Sequence, residues 1–332
     1  MMDYQFKDIL LESEINDVKL LLKKNNLTYE SNVTKTIGLY DKQKLVATGS
    51  IDHHVIKMIA VDQEYQSRNL SAKVISHLLF DLEAHHIDHY FLFTKPEHFK
   101  IFNSFSFNKI IETKDIVLFE NKEQDIKQNL MKMAKKLPKK KGDRACIVMN
   151  LNPITLGHLH LIEHAASKHD DLIIFLVETN ASIINYQTRY QLLKKSTSHL
   201  KNITICPSSN YMVSRATFPT YFLKDKNQMD IYTHLDVSIF KTYFIPVFEI
   251  DMRYVGDEPF DELTMKYNQT MQDILKDKVT IIKRLTLQNE AISASHVREL
   301  ARHKDYELIK KIVPKATYKY LTSKKGRKLF SE

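Results

Sequence analysis

The stretch "NPITLGHLH", residues 152–160, concentrates groups able to do chemistry. The chain has 6 glycines in 332 residues, and one of them, Gly157, stands directly before His158. A helix starting near Leu156 places His158, Leu161, Ile162, Ala165 and Ala166 on one face. His160, Glu163, His164 and Ser167 fall on the other. The spacing therefore predicts that His158 faces inward at the helix N-terminus and that His160 faces solvent. Free N–H groups and the dipole at a helix start suit phosphate. Asn152 and Pro153 shape the loop, Asn150 precedes it, and Gly157 permits close approach to the backbone. An ordinary strand-to-helix loop capped by Thr155 has the same residues.

Two further patterns bear on chemistry. "HLIEH", residues 160–164, matches the H-x-x-E-H zinc-peptidase spacing. No third ligand with a supporting pattern follows, and the outward face describes solvated histidines, so no metal ligand is assigned. "ISASHVREL", residues 292–300, puts Ser293 and Ser295 before a helix with Arg298 one turn in. Serine hydroxyls with free amides suit an anion, and Arg298 can reach a phosphate. A well-capped surface helix shares this pattern.

These residues need elements to position them. "ACIVMN" (145–150) and "DLIIFLVE" (171–178) are continuous apolar runs, as fully buried parallel strands are. Helices are predicted over 156–167 and 187–198, with further strands "ITIC", "MRYV" and "VTIIKR". The alternation predicts an α/β fold with a Rossmann-like, doubly wound parallel sheet, whose ligands bind beyond the carboxyl ends of the strands.

The first half differs. A helix near 13–25 precedes the strands "VTKTIGLY" and "KLVATGSI", joined by the turn "DKQK". The strand "HVIKMIAVD", the helix "RNLSAKVISHLLFDLEAHH" and the strand "HYFLFT" follow. The short helix "PEHFKIFNSF" and the strands "SFNKI" and "DIVLFEN" complete a smaller α+β domain with a mostly antiparallel sheet. A lysine-rich stretch separates the halves. The expected organisation is a domain over 1–125, a basic linker over 126–143 and a catalytic domain over 144–332.

Composition limits the function classes. Hydrophobic residues are 43% and charged residues 27%, as in soluble globular chains. No apolar run approaches a membrane span, and the N-terminal residues carry no signal-peptide core. Cys146 and Cys206 sit in apolar runs, which implies buried thiols and a reducing, cytoplasmic location. The net charge of +9 suits an anionic partner, but no aromatics alternate with the lysines to stack bases, so nucleic acid is not expected.

The T-x-G-H turn at 155–158, with the late I-S-x-S-x-x-R at 292–298, resembles the HxGH-type nucleotidyltransferases. Thr155 stands where many members have their first histidine. Three longer stretches, "CIVMNLNPITLGHLHLIEHAA", "YMVSRATFPTYFLKD" and "RYVGDEPFDELTMKYNQTM", resemble the citrate lyase ligase family. With "AISASHVREL" and "LDVSIFKTYFIPVF" the likeness covers most of 144–300. The first half resembles the GNAT fold. Its loop at 66–71 departs from the Q/R-x-x-G-x-G/A pattern, with Asn69 and Ser71 at the small positions.

The resemblance implies a ligase that uses ATP and acetate. Acetyl-adenylate and pyrophosphate form, and the acetyl group then passes to the prosthetic-group thiol of the citrate lyase acyl carrier subunit. It implies His158 and Thr155 at the phosphates, with Asn150, Asn152 and Gly157 shaping that loop. Ser293, Ser295 and Arg298 hold the β- and γ-phosphates, and Mg2+ bridges them. Gly256, Asp257 and Glu258 line the nucleotide pocket, and Arg215 pairs with acetate or the acyl phosphate. The loop at 66–71, by its departure from the pattern, marks the GNAT-like domain as degenerate, docking the carrier or its prosthetic arm. Two rival classes are a nucleotidyltransferase making a CoA-like or dinucleotide cofactor, and a non-catalytic adaptor.

Overall fold

The computed structural model describes residues 4–105, 107–178, 182–212, 218–223, 228–257, 262–287 and 290–330. Contacts divide the chain into two compact units. One is Met1–Ile126 with Thr217–Leu235; the other is Lys127–Ala216 with Asp236–Glu332.

The first unit contains β1 (Tyr4–Asp8), α1 (Glu12–Lys24), β2 (Lys35–Asp41), β3 (Lys44–Asp52) and β4 (Val55–Val61). It continues with α2 (Leu70–Ala84), β5 (Phe91–Thr94), α3 (Phe99–Asn103), β6 (Phe107–Glu112) and β7 (Val117–Asn121). Among the described residues the sheet runs β1-β2-β3-β4-β5-β7-β6. Every pairing is antiparallel except β4 with β5. The apolar stripe of α2, including Val74 and Leu78, is buried against this sheet. A Cβ at Gly49 of β3 would come within 2.7 Å of Val74 Cγ1, so helix and strand approach at glycine distance. In the loop before α2, Ser67 and Asn69 take left-handed backbone conformations, with φ of 70° and 56°. The turn is made without glycine, and asparagine tolerates it better than most residues.

Residues 218–223 are tied into this unit by hydrogen bonds. Glu30 accepts from both the N–H and the hydroxyl of Thr220, at 2.7 and 2.9 Å. Thr28 N–H donates to the Tyr221 carbonyl, and the Tyr221 hydroxyl donates to the Phe93 carbonyl at 3.2 Å. Glu30 also pairs with Lys57, which is 2% exposed and meets Asp52 at 2.9 Å.

The second unit begins within α4 (Ile126–Ala134) and continues through β8 (Arg144–Met149), α5 (Leu156–Lys168) and β9 (Asp171–Leu176). Next come α6 (Tyr186–Ser196), β10 (Ile203–Pro207), and α7 (Gln228–Ile239), which starts in the first unit. Then come α8 (Ile245–Phe248), β11 (Met252–Gly256), α9 (Glu262–Leu275) and β12 (Val279–Ile282). A short ribbon, β13 (Thr286–Leu287) and β14 (Glu290–Ala291), leads to α10 (Ala294–Arg302), α11 (Tyr306–Ile312), α12 (Lys315–Thr322) and α13 (Lys324–Leu329).

The main sheet is parallel, in the order β10-β9-β8-β11-β12. Both faces are covered. Leu172, Ile174 and Leu176 of β9 join a core with Leu161, Ile162 and Ala165 of α5, and Leu192 and Leu193 of α6. On the opposite face Phe175 meets Phe244 and Phe248 at ring distances of 5.7 and 5.0 Å. This is the doubly wound arrangement expected from the apolar runs, and the strand order reverses between β8 and β11. Cys146 and Cys206 are free and buried, and burial pushes both thiols up to about 12.

The sequence reading differs at the linker and assigns no element to several other stretches, among them β1, residues 228–248 and α11 to α13. The expected linker 126–143 opens with α4, whose Ile126 and Leu130 are buried despite the dense lysines. Residues 228–248 are helical throughout, with a π turn at Phe240–Phe244 before Pro246. A π turn leaves the ladder irregular at the place where proline supplies no N–H.

Candidate active site

The chain leaves β8 through Asn150–Ile154 and enters α5 at Thr155. Thr155 and His158 satisfy each other. The Thr155 hydroxyl accepts from the His158 N–H at 3.3 Å, and the Thr155 N–H donates to His158 Nδ1 at 3.1 Å. This is a capping box in which an imidazole takes the place of the usual glutamate. It also fixes the tautomer. Nδ1 receives a main-chain hydrogen, so the hydrogen of the neutral ring sits on Nε2. Burial, with repulsion from Arg284 second, lowers the His158 pKa to about 4. At neutral pH His158 is an uncharged hydrogen-bond donor.

The second motif meets the first directly. Ser293 caps α10 by accepting from the His296 N–H at 3.1 Å. Arg298 donates through Nη1 to the Asn152 carbonyl at 2.7 Å and through Nη2 to the Ser295 hydroxyl at 2.9 Å. A Cβ at Gly157 would lie 3.2 Å from the Ile292 carbonyl oxygen. The missing side chain at 157 thus makes room for the chain leading into α10, and Gly157 also stands on the cavity wall.

A cavity of about 370 Å³ opens at the carboxyl ends of β8 and β11, where the strand order reverses. Of the residues expected at the site, Asn150, Asn152, Gly157, His158, Gly256 and Arg298 line it. Thr155, Asp257, Ser293 and Ser295 are not on its wall and act as supports. Asp257, for example, accepts from the Arg284 N–H at 2.7 Å. Arg215 and Glu258 lie outside the described residues. His160 is exposed, as its helical position predicts, but stands at the rim of the same cavity.

Sequence reasoning missed several wall residues. Lys283 and Arg284 follow β12 and add positive charge; a basic pair ending an apolar strand is a signal that could have found them. Arg253, Tyr267 and Asn268 also line the cavity. Arg189 is buried behind it. Its Nη1 donates to the carbonyls of Asn150 and Val177, both at 2.7 Å, and its Nε to that of Ile184 at 3.0 Å. It holds together the exits of β8 and β9.

One neutral donor, four cationic side chains (Arg253, Lys283, Arg284 and Arg298) and a helix N-terminus converge on one cavity. Such a set can hold a polyphosphate and stabilise charge developing on a phosphorus centre by positioning and electrostatics. Among the described residues no group of three His, Cys, Asp or Glu is placed to hold a metal ion.

The family model for the citrate lyase ligase C-terminal domain matches residues 144–321, more than half of the chain. The chain belongs to the citrate lyase ligase family. A [citrate [pro-3S]-lyase] ligase of Escherichia coli (strain K12) is 33% identical over 315 residues, covering 92% of this chain and 89% of that one. A phosphopantetheine adenylyltransferase of Corynebacterium efficiens is 25% identical over 132 residues, 39% of this chain and 79% of that one. Among solved structures, FeeM, an N-acyl amino acid synthase from uncultured soil microbes, aligns with a TM-score of 0.32 at 12% identity, covering 36% of this chain and 90% of that one. The region matched to the citrate lyase ligase family begins at the first residue of β8 and contains every residue of the cavity wall.

Proposed function

We propose that this chain activates citrate lyase by acetylating its prosthetic group at the expense of ATP. The observation that carries this reading is the Arg298–Asn152 hydrogen bond, which joins the two phosphate-binding motifs on one cavity wall. A carboxylate oxygen of acetate attacks the α-phosphorus of ATP; the bond to the bridging β-phosphate oxygen breaks and pyrophosphate leaves. The thiol sulfur of the phosphoribosyl-dephospho-CoA group on the acyl carrier subunit then attacks the acetyl carbon. It loses its proton, and AMP leaves.

In the first step His158 Nε2–H donates to an α-phosphate oxygen as its charge grows. Because the ring is neutral, its N–H donates a hydrogen bond but is too weak an acid to give the proton up. Arg298, Lys283 and Arg284 balance the β- and γ-phosphates, and the supports Thr155, Ser293 and Ser295 hold their partners in place. Mg2+ would enter with ATP, held by phosphate oxygens and water, as this ion prefers. The basic net charge steers an acidic carrier towards the enzyme. The first unit takes the docking of the carrier or its prosthetic arm, and the enzyme works in the cytoplasm. Among the described residues no helix is long and apolar enough to cross a membrane.

Isotope exchange between ATP and pyrophosphate tests the reading. Exchange that requires acetate is the expected result. Exchange driven by phosphopantetheine or another nucleophile in place of acetate would make the chain a nucleotidyltransferase. ATP binding without exchange would make it an adaptor.

A further inference from the structure

One cation of the cavity differs from the rest. Arg253, the second residue of β11, is 4% exposed. Its Nη2 lies 3.5 Å from the Tyr267 hydroxyl and its guanidinium stands 4.3 Å from the Phe240 ring centroid. Nε and Nη1 are buried and have no hydrogen-bond partner among the described residues. Tyr267 lines the cavity beside Arg253 and gives its own hydrogen to Asp236; burial raises the Asp236 carboxyl, and the Arg253 charge and the Tyr267 hydrogen bond pull it partly back down. Arg298, by contrast, is committed to Asn152 and Ser295, and Lys283 is exposed.

A buried guanidinium with open donors is costly unless an anion completes it. A triphosphate already has the helix N-terminus, His158, Lys283, Arg284 and Arg298. A single dehydrated charge best matches a single compact negative charge. Ile147 and Val255 give the same cavity apolar wall, which suits a short acyl chain. We propose that Arg253, held by Tyr267, binds the carboxylate of a short monocarboxylate and so selects the acyl donor. This rests on the adenylation reading above. Arg253 is a specificity-determining residue, and Tyr267 is a positioning residue acting through it.

The test uses the full chain and two variants, Arg253→Lys and Tyr267→Phe. In acetate-dependent exchange, Arg253→Lys raises the acetate KM about 30-fold or more, the scale expected for losing a guanidinium–carboxylate bond, and leaves the ATP KM within about twofold. Tyr267→Phe raises the acetate KM by several-fold. Saturation-transfer NMR on the acetate methyl group, with a non-hydrolysable ATP analogue present, reads binding without turnover. Its signal is expected in the native chain and lost in Arg253→Lys. An acetate KM within twofold of native in both variants overturns the proposal, as does an equal rise in both KM values. If Arg253→Lys fails to fold, Tyr267→Phe decides in the same way. If exchange proves independent of acetate while the NMR contrast holds, the adenylation reading fails and the carboxylate site stands.

Discussion

Arg298 donates to the main-chain oxygen of Asn152 at 2.7 Å, across 146 residues of sequence. The acceptor is a carbonyl, so it persists whatever side chain occupies position 152, and the bond depends on the guanidinium alone. Arg298→Lys keeps a positive charge but cannot span both Asn152 and Ser295. Exchange is expected to fall about 10²- to 10³-fold, the scale seen when a preorganised donor is removed. Steady-state exchange kinetics on a variant with native circular dichroism check this.

His158 and His160 share a cavity but differ in environment. His158→Ala removes the Nε2–H donor and is expected to cost about 10²- to 10⁴-fold in the adenylation rate. His160→Ala, at the exposed rim, is expected to stay within a few-fold of native. Parallel single-turnover measurements separate the two, and equal losses would refute the distinction.

The depressed His158 pKa has a pH signature. The unfolded chain takes up this proton near 6.5 and the folded chain only near 4. Between those values the unfolded state binds more protons, so stability falls as pH drops from 6.5 towards 4. His158→Asn removes that component. Its melting temperature should decline less steeply than the native one over this range, as calorimetry at a series of pH values would show.

Gly157→Ala sets helix propensity against contact. Alanine favours the first turn of α5 by about 1 kcal/mol, yet its Cβ presses on the Ile292 carbonyl oxygen at 3.2 Å. The expected outcome is a nearly unchanged melting temperature with an ATP KM raised about tenfold, because a shifted α10 misplaces Arg298. Thermal melts and exchange kinetics on one preparation give both numbers.

Lys57→Met tests the first unit. It leaves Glu30 and Asp52, both largely buried, without their shared cation, and Glu30 is also the acceptor for Thr220. Breaking a buried pair from one side costs about 3–5 kcal/mol. Urea unfolding should show a loss of that size.

The regular parts of this fold were legible because their patterns are local. β8 and β9 are unbroken apolar runs, and α5 shows its buried face at Leu161, Ile162, Ala165 and Ala166. The elements that escaped have mixed signals. α4 hides two buried residues among lysines, and the helix through Phe240 is apolar on several sides and contains a proline. At the site, the T-x-G-H and serine-arginine motifs were readable, as each sits at a helix start. Arg253 and Arg189 were not. A lone arginine in a strand or helix carries no spacing signal, and its role comes from partners distant in sequence. Gly157 was noticed for the right reason, close approach, but its neighbour Ile292 comes from the far end of the chain.

The stretch from Thr217 to Leu235 lies inside the region that matches the citrate lyase ligase C-terminal domain, yet it folds with the N-terminal unit. Heredity and folding therefore cut this chain at different places. A gene fragment beginning at residue 127 would encode the whole cavity but would leave Phe218, Tyr221 and Phe222 without the surroundings that bury them. Such a fragment would expose these apolar side chains and be prone to aggregate. Any effort to shorten or recombine this enzyme has to keep that stretch with the first unit.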